Sequence, residues 1–322
     1  MNNILKNVLS YRRQHNSIGE REFMIQYMNR FEKLVDPTNN EPIAFTHSIG
    51  DSNILWVSHI DTVHRTNSNQ IHQQNFLDEE FNILYCDKSS DCLGADDGSG
   101  IALMLNMIDR NIEGNYLFSR GEEVGGIGAK ALVKYHADYL KQFTHAISLD
   151  RKGNNSIITH QGFSRCCSDS FANRFAEILK TSELSFSSDD TGTYTDTAEF
   201  TKLIPECTNL SVGYMNQHTN NEYLDITFWD QLLDRLCQLT RAELDSLPVD
   251  RDPSVIEEMY WDDDFYLGSD DPDDPINSYY SGRTVDQKSL ISWIKKQSHE
   301  TIANSFLDLL NELDSSYDRL NY

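Results

Sequence analysis

Apolar residues recur at helical spacing near the start of the chain. Ile4, Val8, Leu9, Phe23, Met24, Tyr27, Met28, Phe31 and Leu34 together predict helix across residues 3–35. Short apolar runs then alternate with longer periodic ones. Ile54–Val57, Phe81–Tyr85, Tyr116–Phe118, Ala146–Leu149 and Ile157–Thr159 read as strands. Ile101–Ile108, Ala129–Leu140, Phe171–Leu179 and Phe228–Leu244 read as helices. This alternation predicts an α/β fold: a three-layer α/β/α sandwich with a mixed, mostly parallel central sheet and helices on both faces.

The pattern changes after Leu247-Pro248. Residues 250–274 hold eleven Asp or Glu and one basic residue, Arg251. A stretch so charged and so poor in apolar positions does not fold alone. Beyond it, Leu290, Ile291, Trp293 and Ile294, then Ile302, Phe306, Leu307, Leu310 and Leu313, mark two short amphipathic helices. The expected organisation is a main domain over 1–248, an acidic linker over 249–284 and a helical appendage over 285–322. The appendage is expected to dock on the main domain or to make a homo-oligomer through its helices.

The net charge of −24 argues against general nucleic-acid binding. No run of 18 apolar residues suggests a membrane span, and the first residues lack the apolar segment of a signal peptide. The expectation is a cytoplasmic protein. Its six cysteines, none in CxxC spacing, are expected to be reduced.

Candidate chemistry lies mostly at strand ends. The run Ile54–Val57 leads into Ser58-His59-Ile60-Asp61. Tyr116–Phe118 leads to Gly121-Glu122-Glu123, and Ala146–Leu149 to Asp150. Leu210-Ser211-Val212-Gly213-Tyr214 is followed by His218. Gly94-Ala95-Asp96-Asp97-Gly98-Ser99-Gly100 is a tight turn opening a helix, in which Asp97 or Ser99 could serve as a cap. In open α/β sheets, ligands bind at the carboxyl edge of the strands. Carboxylates and imidazoles gathered there repel and desolvate one another unless cations sit among them, and two divalent metals resolve this. Nitrogen and oxygen donors suit zinc. Asp96, on a turn flanked by glycines, is the natural shared carboxylate. Asp61 is placed to hydrogen-bond the His59 imidazole, and of the Glu122-Glu123 pair one can bind metal while the other acts as general base.

These motifs, with Ser58-His59-Ile60-Asp61-Thr62-Val63, Gly121-Glu122-Glu123-Val124-Gly125, Leu149-Asp150 and His218-Thr219-Asn220-Asn221-Glu222, resemble the co-catalytic zinc exopeptidases over about residues 10–245. The resemblance implies His59 and Asp150 on one zinc, Glu123 and His218 on the other, and Asp96 between them. Glu122 is then the general base and Asp61 the orienting carboxylate. Only 68 positions separate Asp150 from His218, which leaves no room for the lid domain of the peptidase T and carboxypeptidase G branch. The chain is therefore more similar to the single-domain aminopeptidases, and Tyr194 in Tyr194-Thr195-Asp196 becomes the candidate oxyanion donor. The 37 positions from His59 to Asp96 are long for that branch and predict an extra hairpin around Phe81–Cys86.

The implied activity is removal of N-terminal residues from short peptides with two zinc ions; cobalt or manganese would also suit the site. Arg151-Lys152, beside Asp150, keep open a deacylase, dipeptidase or carboxypeptidase acting on an N-acyl amino acid or dipeptide. A non-catalytic, receptor-like relative is a third reading, at odds with retention of every ligand.

Overall fold

The computed structural model describes residues 2–65, 70–162 and 164–255. Its elements run in the following order. Helix α1 spans Asn3–Leu9, and α2 spans Ile18–Phe23, continuing as a π-helical turn over Met24–Met28. Strands β1 (Glu32–Val35), β2 (Pro42–Ile49), β3 (Ile54–His59), β4 (Asn75–Asp78) and β5 (Ile83–Cys86) follow. Helix α3 (Ala95–Asp109), strand β6 (Gly114–Ser119), helices α4 (Ile127–Tyr135) and α5 (Ala137–Leu140) and strand β7 (His145–Arg151) come next. Then come β8 (Ser156–Ile158), β9 (His160–Gln161), β10 (Ser164–Arg165), α6 (Asp169–Leu179), β11 (Ser187–Asp189) and α7 (Asp196–Phe200). Strands β12 (Glu206–Ser211), β13 (Tyr214–Met215) and β14 (Tyr223–Asp225) and helices α8 (Ile226–Leu236) and α9 (Arg241–Asp245) complete the described part.

Eight strands form the central sheet in the order β1-β2-β6-β3-β7-β12-β8-β11. Its middle pairs, β6 with β3, β3 with β7 and β7 with β12, are parallel. The outer β1–β2 and β2–β6 pairs are antiparallel. Strands β3 and β12 are buried along their whole length, the mark of interior strands covered on both faces. Side chains alternate between two cores. Trp56, Tyr116, Phe118, Ile147 and Leu149 join the core beneath α1, α3, α6 and α8, whereas Leu55, Val57, Leu117 and Ala146 join the one beneath α4 and α7. Each such large apolar side chain contributes about 1.5–3 kcal/mol on burial. The predicted three-layer α/β/α sandwich is the observed one.

The predicted helix over 3–35 is broken twice. Residues 10–17 are non-helical, Ser17 caps a new helix by accepting from Glu20 N–H (3.1 Å), and Glu32–Val35 is an edge strand paired with β2. Tertiary contacts override the local pattern: the residue 10–13 stretch bonds to the loop after β3, and Phe31 stacks on Phe118 of the sheet (5.4 Å between ring centres). Two further predicted helices, Ala129–Leu140 and Phe228–Leu244, also split, at His136 and between Leu236 and Arg241, whereas Ile101–Ile108 and Phe171–Leu179 lie within α3 and α6. The extra hairpin is present as β4–β5. It pairs through β14 with β13 into a second, four-stranded sheet that the sequence reading did not foresee. All six cysteines are free.

The main domain does not stop at Pro248. Glu206, fully buried, accepts from Ser168 N–H (2.7 Å) and Ser168 O–H (3.0 Å), and from the N–H groups of Asp250 (2.8 Å) and Arg251 (2.9 Å). The Arg251 side chain donates to the carbonyls of Pro205 (2.6 Å) and Ile204 (3.0 Å). The first residues assigned to the linker are thus bound to the catalytic domain; the rest of the linker beyond residue 255 and the appendage over 285–322 lie outside the described residues. Glu206→Ala is expected to lower the free energy of unfolding by about 3 kcal/mol, because it leaves buried donors without their acceptor; urea unfolding checks it. Among the described residues no helix is long and apolar enough to cross a membrane.

Candidate metal centre

Parallel strands β3, β6 and β7 end along one edge of the sheet, and helix α3 begins there too. His59 closes β3, the Gly121–Glu123 turn follows β6, Asp150 sits near the end of β7, and Asp96 lies in the first turn of α3. Gly94 makes the entry to α3 possible: its φ is 72°, and a Cβ there would press on Thr62 (3.2 Å) and His64 (3.3 Å). Gly100 lets the helix approach β7, since a Cβ would fall 2.2 Å from the Leu149 carbonyl.

The five candidate ligands are brought together. Asp96 Oδ1 lies 3.0 Å from His59 Nε2, and Asp96 Oδ2 lies 3.2 Å from His218 Nε2. Asp150 Oδ1 is 3.6 Å from His59 Nε2, and Glu123 Oε2 is 3.2 Å from His218 Nε2. One carboxylate therefore faces two imidazoles, each accompanied by a further carboxylate. His59 and Asp61 are almost wholly buried, Asp96 and Asp150 nearly so, and His218 is the outermost of the set with its side chain 41% exposed.

Supporting contacts fix the donors. The His59 Nδ1–H donates to the Asp61 backbone carbonyl (3.1 Å), which leaves Nε2 as the free donor atom for a metal. The Asp61 carboxylate, the partner expected from sequence, also stands by this nitrogen, with Oδ1 3.7 Å from Nδ1. It accepts three backbone N–H groups, from Gly121 (2.8 Å), Glu122 (3.1 Å) and Glu123 (3.2 Å). Asp61 thereby shapes the turn that presents both glutamates.

Other braces were foreseen only in part: Asp97 was offered as a helix cap, whereas the contacts of Glu222, Thr195 and Tyr214 were not. Asp97 accepts from His59 N–H and from Gly100 N–H (both 3.1 Å), so it caps α3 and holds β3 at once. Both oxygens of fully buried Glu222 accept, from Gly94 N–H and Asp96 N–H (both 3.0 Å). Thr195 O–H donates to Asp150 Oδ2 (2.7 Å), and Tyr214 O–H to the Asp150 carbonyl (2.9 Å). Glu222 lies within the His218–Glu222 motif, and Thr195 follows Tyr194; adjacency was their only sequence signal. Tyr194 itself donates to Glu199 (3.1 Å) and lies directly over Gly126, on the turn that follows the glutamates.

Protonation reflects the crowding. Burial, reinforced by Asp96, pushes Glu123 up to about 7. Burial also raises Glu122 well above the carboxylate range, against the pull of His59. Burial would raise Asp96 as well, but hydrogen bonds from His218 and His59 hold it below its ordinary value. Desolvation opposes charge on His218, yet Asp96 and Glu123 carry it up to about 11. Such a cluster holds more carboxylates than imidazoles to balance them. Glu123 Oε1 is buried with no hydrogen-bond partner, and His59, Asp150 and Asp97, like Asp96, Glu123 and His218, gather donor atoms within 4.8 Å. Nitrogen and oxygen donors, one shared carboxylate and an orphaned carboxylate oxygen fit a pair of divalent cations.

A sequence model of peptidase family M28 matches residues 43–245. No curated protein sequence matches the chain. Among solved structures the fold is similar to aminopeptidase PepT from Bacillus cereus, at 14% identity over 75% of this chain and 97% of that one (TM-score 0.60). It is similar also to a tripeptidase from Staphylococcus aureus, at 14% identity over 76% of this chain and 97% of that one (TM-score 0.59).

Proposed function

The chain belongs to peptidase family M28 and is a metallopeptidase; on that footing we propose that it is an aminopeptidase that removes N-terminal residues from short peptides by means of two divalent ions. The observation that carries the reading is Asp96, with one oxygen directed to each imidazole. His59, Asp150 and Asp96 would hold one ion, and Glu123, His218 and Asp96 the other. Zinc suits this donor set, with cobalt or manganese as alternatives. Ions so held would polarise the scissile carbonyl and make the attacking water more acidic.

The protein's own groups do the rest. Glu122 is the general base: it accepts a proton as water adds to the carbonyl carbon and returns it to the leaving amine nitrogen as the C–N bond breaks. Asp61 holds the base through the turn amides. Tyr194, whose hydroxyl donates to Glu199 in this structure, is the donor to the developing oxyanion on swinging from that partner.

The names of the two similar structures agree with an aminopeptidase. The rival dipeptidase or carboxypeptidase reading rested on Arg151 and Lys152. Arg151 donates to Thr191 (3.0 Å) and lies 3.5 Å from Asp189, so its charge is already engaged. Val124, Ile127 and Tyr194 are exposed apolar side chains on and over the turn beyond Glu123, which favours apolar N-terminal residues.

Mass spectrometry on a panel of X-Ala-Ala peptides tests this. Peptides with a free N-terminus and apolar X are expected to lose X, about tenfold or more faster than those with acidic X. Carboxyl-amidated forms should be cleaved as well and N-acetylated forms spared. Chelation should abolish turnover and divalent zinc restore it. Cleavage confined to N-acylated substrates would make the enzyme a deacylase instead.

A further inference from the structure

The family match begins at residue 43, yet residues 10–20 touch three of the segments that present the candidate ligands, those of His59, Asp96 and Glu123. Arg13 is the centre of this contact. It is fully buried, and its guanidinium donates to three backbone carbonyls: Nε to Ile60 (2.7 Å), Nη1 to Val8 (2.9 Å) and Nη2 to Gly94 (3.1 Å). Ile60 lies between His59 and Asp61, and Gly94 two residues before Asp96. The Arg13 backbone is tied in as well: its N–H donates to Thr62 Oγ1 and its carbonyl accepts from Thr62 N–H, each at 3.1 Å. Phe23 of α2 packs 5.1 Å from the guanidinium carbon.

A buried cation bonded only to carbonyls needs opposite charge nearby. It finds it in Asp97, Asp61 and Glu222, the three carboxylates that brace the ligand loops. Burial lowers its pKa to about 10 and these neighbours pull it back up, so the side chain stays charged at neutral pH. The same arm reaches the third loop: Glu20 pairs with Arg120 (2.8 Å), which is followed directly by the Gly121–Glu123 turn.

We propose that Arg13 is a positioning residue of the metal centre. One rigid, planar guanidinium fixes the spacing between the loop carrying His59 and the loop carrying Asp96, and offsets the charge of the carboxylates behind them. Tight metal binding therefore depends on a residue of the N-terminal arm. A lysine cannot substitute, because a single ammonium on a flexible stem does not span three carbonyls in one plane. The inference rests on the reading of the site as a metal centre.

The test compares Zn2+ affinity, by competition with a chromophoric chelator, in the wild type, Arg13→Lys, Arg13→Met and Leu179→Ala. Leu179 lies in the core on α6, with no part in the site, and its truncation controls for lost stability, read as Tm after chelation. Both Arg13 variants are expected to bind Zn2+ roughly 10–100-fold more weakly, the usual effect of losing a supporting contact behind the ligands. Leu179→Ala should keep wild-type affinity despite a lower Tm. Arg13 variants with wild-type affinity, or a loss no greater than that of Leu179→Ala, would overturn the proposal. Wild-type protein that takes up no Zn2+ would instead sink the metal-centre reading itself. Should Arg13→Met fail to fold, Arg13→Lys carries the comparison.

Discussion

Asp96→Ala is expected to abolish turnover and to strip both ions from the protein, not one. Its two carboxylate oxygens face different imidazoles, at 3.0 and 3.2 Å, so removing it takes a donor from each half of the centre. About two ions per chain should be found in the wild type by elemental analysis, the number expected of a two-metal site. The variant should retain well under one. Its fold should survive, because Asp97 and Glu222 still brace the loop through His59 and Gly94. Loss of a single ion would show that Asp96 serves only one, and a fully loaded Asp96→Ala would remove the basis of the proposed mechanism.

The second large effect separates the neighbouring glutamates. Glu122→Gln should leave metal content intact and lower kcat by about 10²–10⁴-fold, the usual contribution of a positioned acid–base group. Glu123→Gln should weaken metal binding first, since Glu123 is the one in contact with His218 (3.2 Å). Single-turnover kinetics beside metal titration distinguish the two. Reversed phenotypes would exchange the roles within the pair while leaving the rest of the site as drawn.

Strand-end chemistry could be read from sequence because β3, β6 and β7 are mainly apolar, so the charged residues at or just past their ends stand out. Ile54–Val57 before His59 and Ala146–Leu149 before Asp150 are of this kind. What escaped was set by distant parts of the chain. The helix expected over 3–35 contains Arg13 and Phe31, whose partners are Ile60, Gly94 and Phe118; no local periodicity carries that information. Strand β14 pairs Leu224 with Leu84, about 140 positions earlier in the chain. Glu222 looks like any loop glutamate until the amides of Gly94 and Asp96 meet it. The Asp61 carboxylate was assigned to the nearest imidazole in sequence; the turn amides that it also accepts are unseen in a pattern of side chains.

The ligands are not all carried by one sheet. His59, Glu123 and Asp150 stand on or just beyond strands of the central sheet, and Asp96 on the helix packed against it. His218 comes from the loop joining β13 and β14 of the small sheet, tethered by Lys88 to Asn221 (2.7 Å). It is also the most solvent-exposed of the five. The two halves of the centre should therefore differ in lability. Under slow chelation the ion held by Glu123 and His218 should depart first and return first, leaving a half-loaded enzyme as a distinct kinetic species. In such a species the small sheet would act as a tuning element, setting how much of the protein is active when metal is scarce.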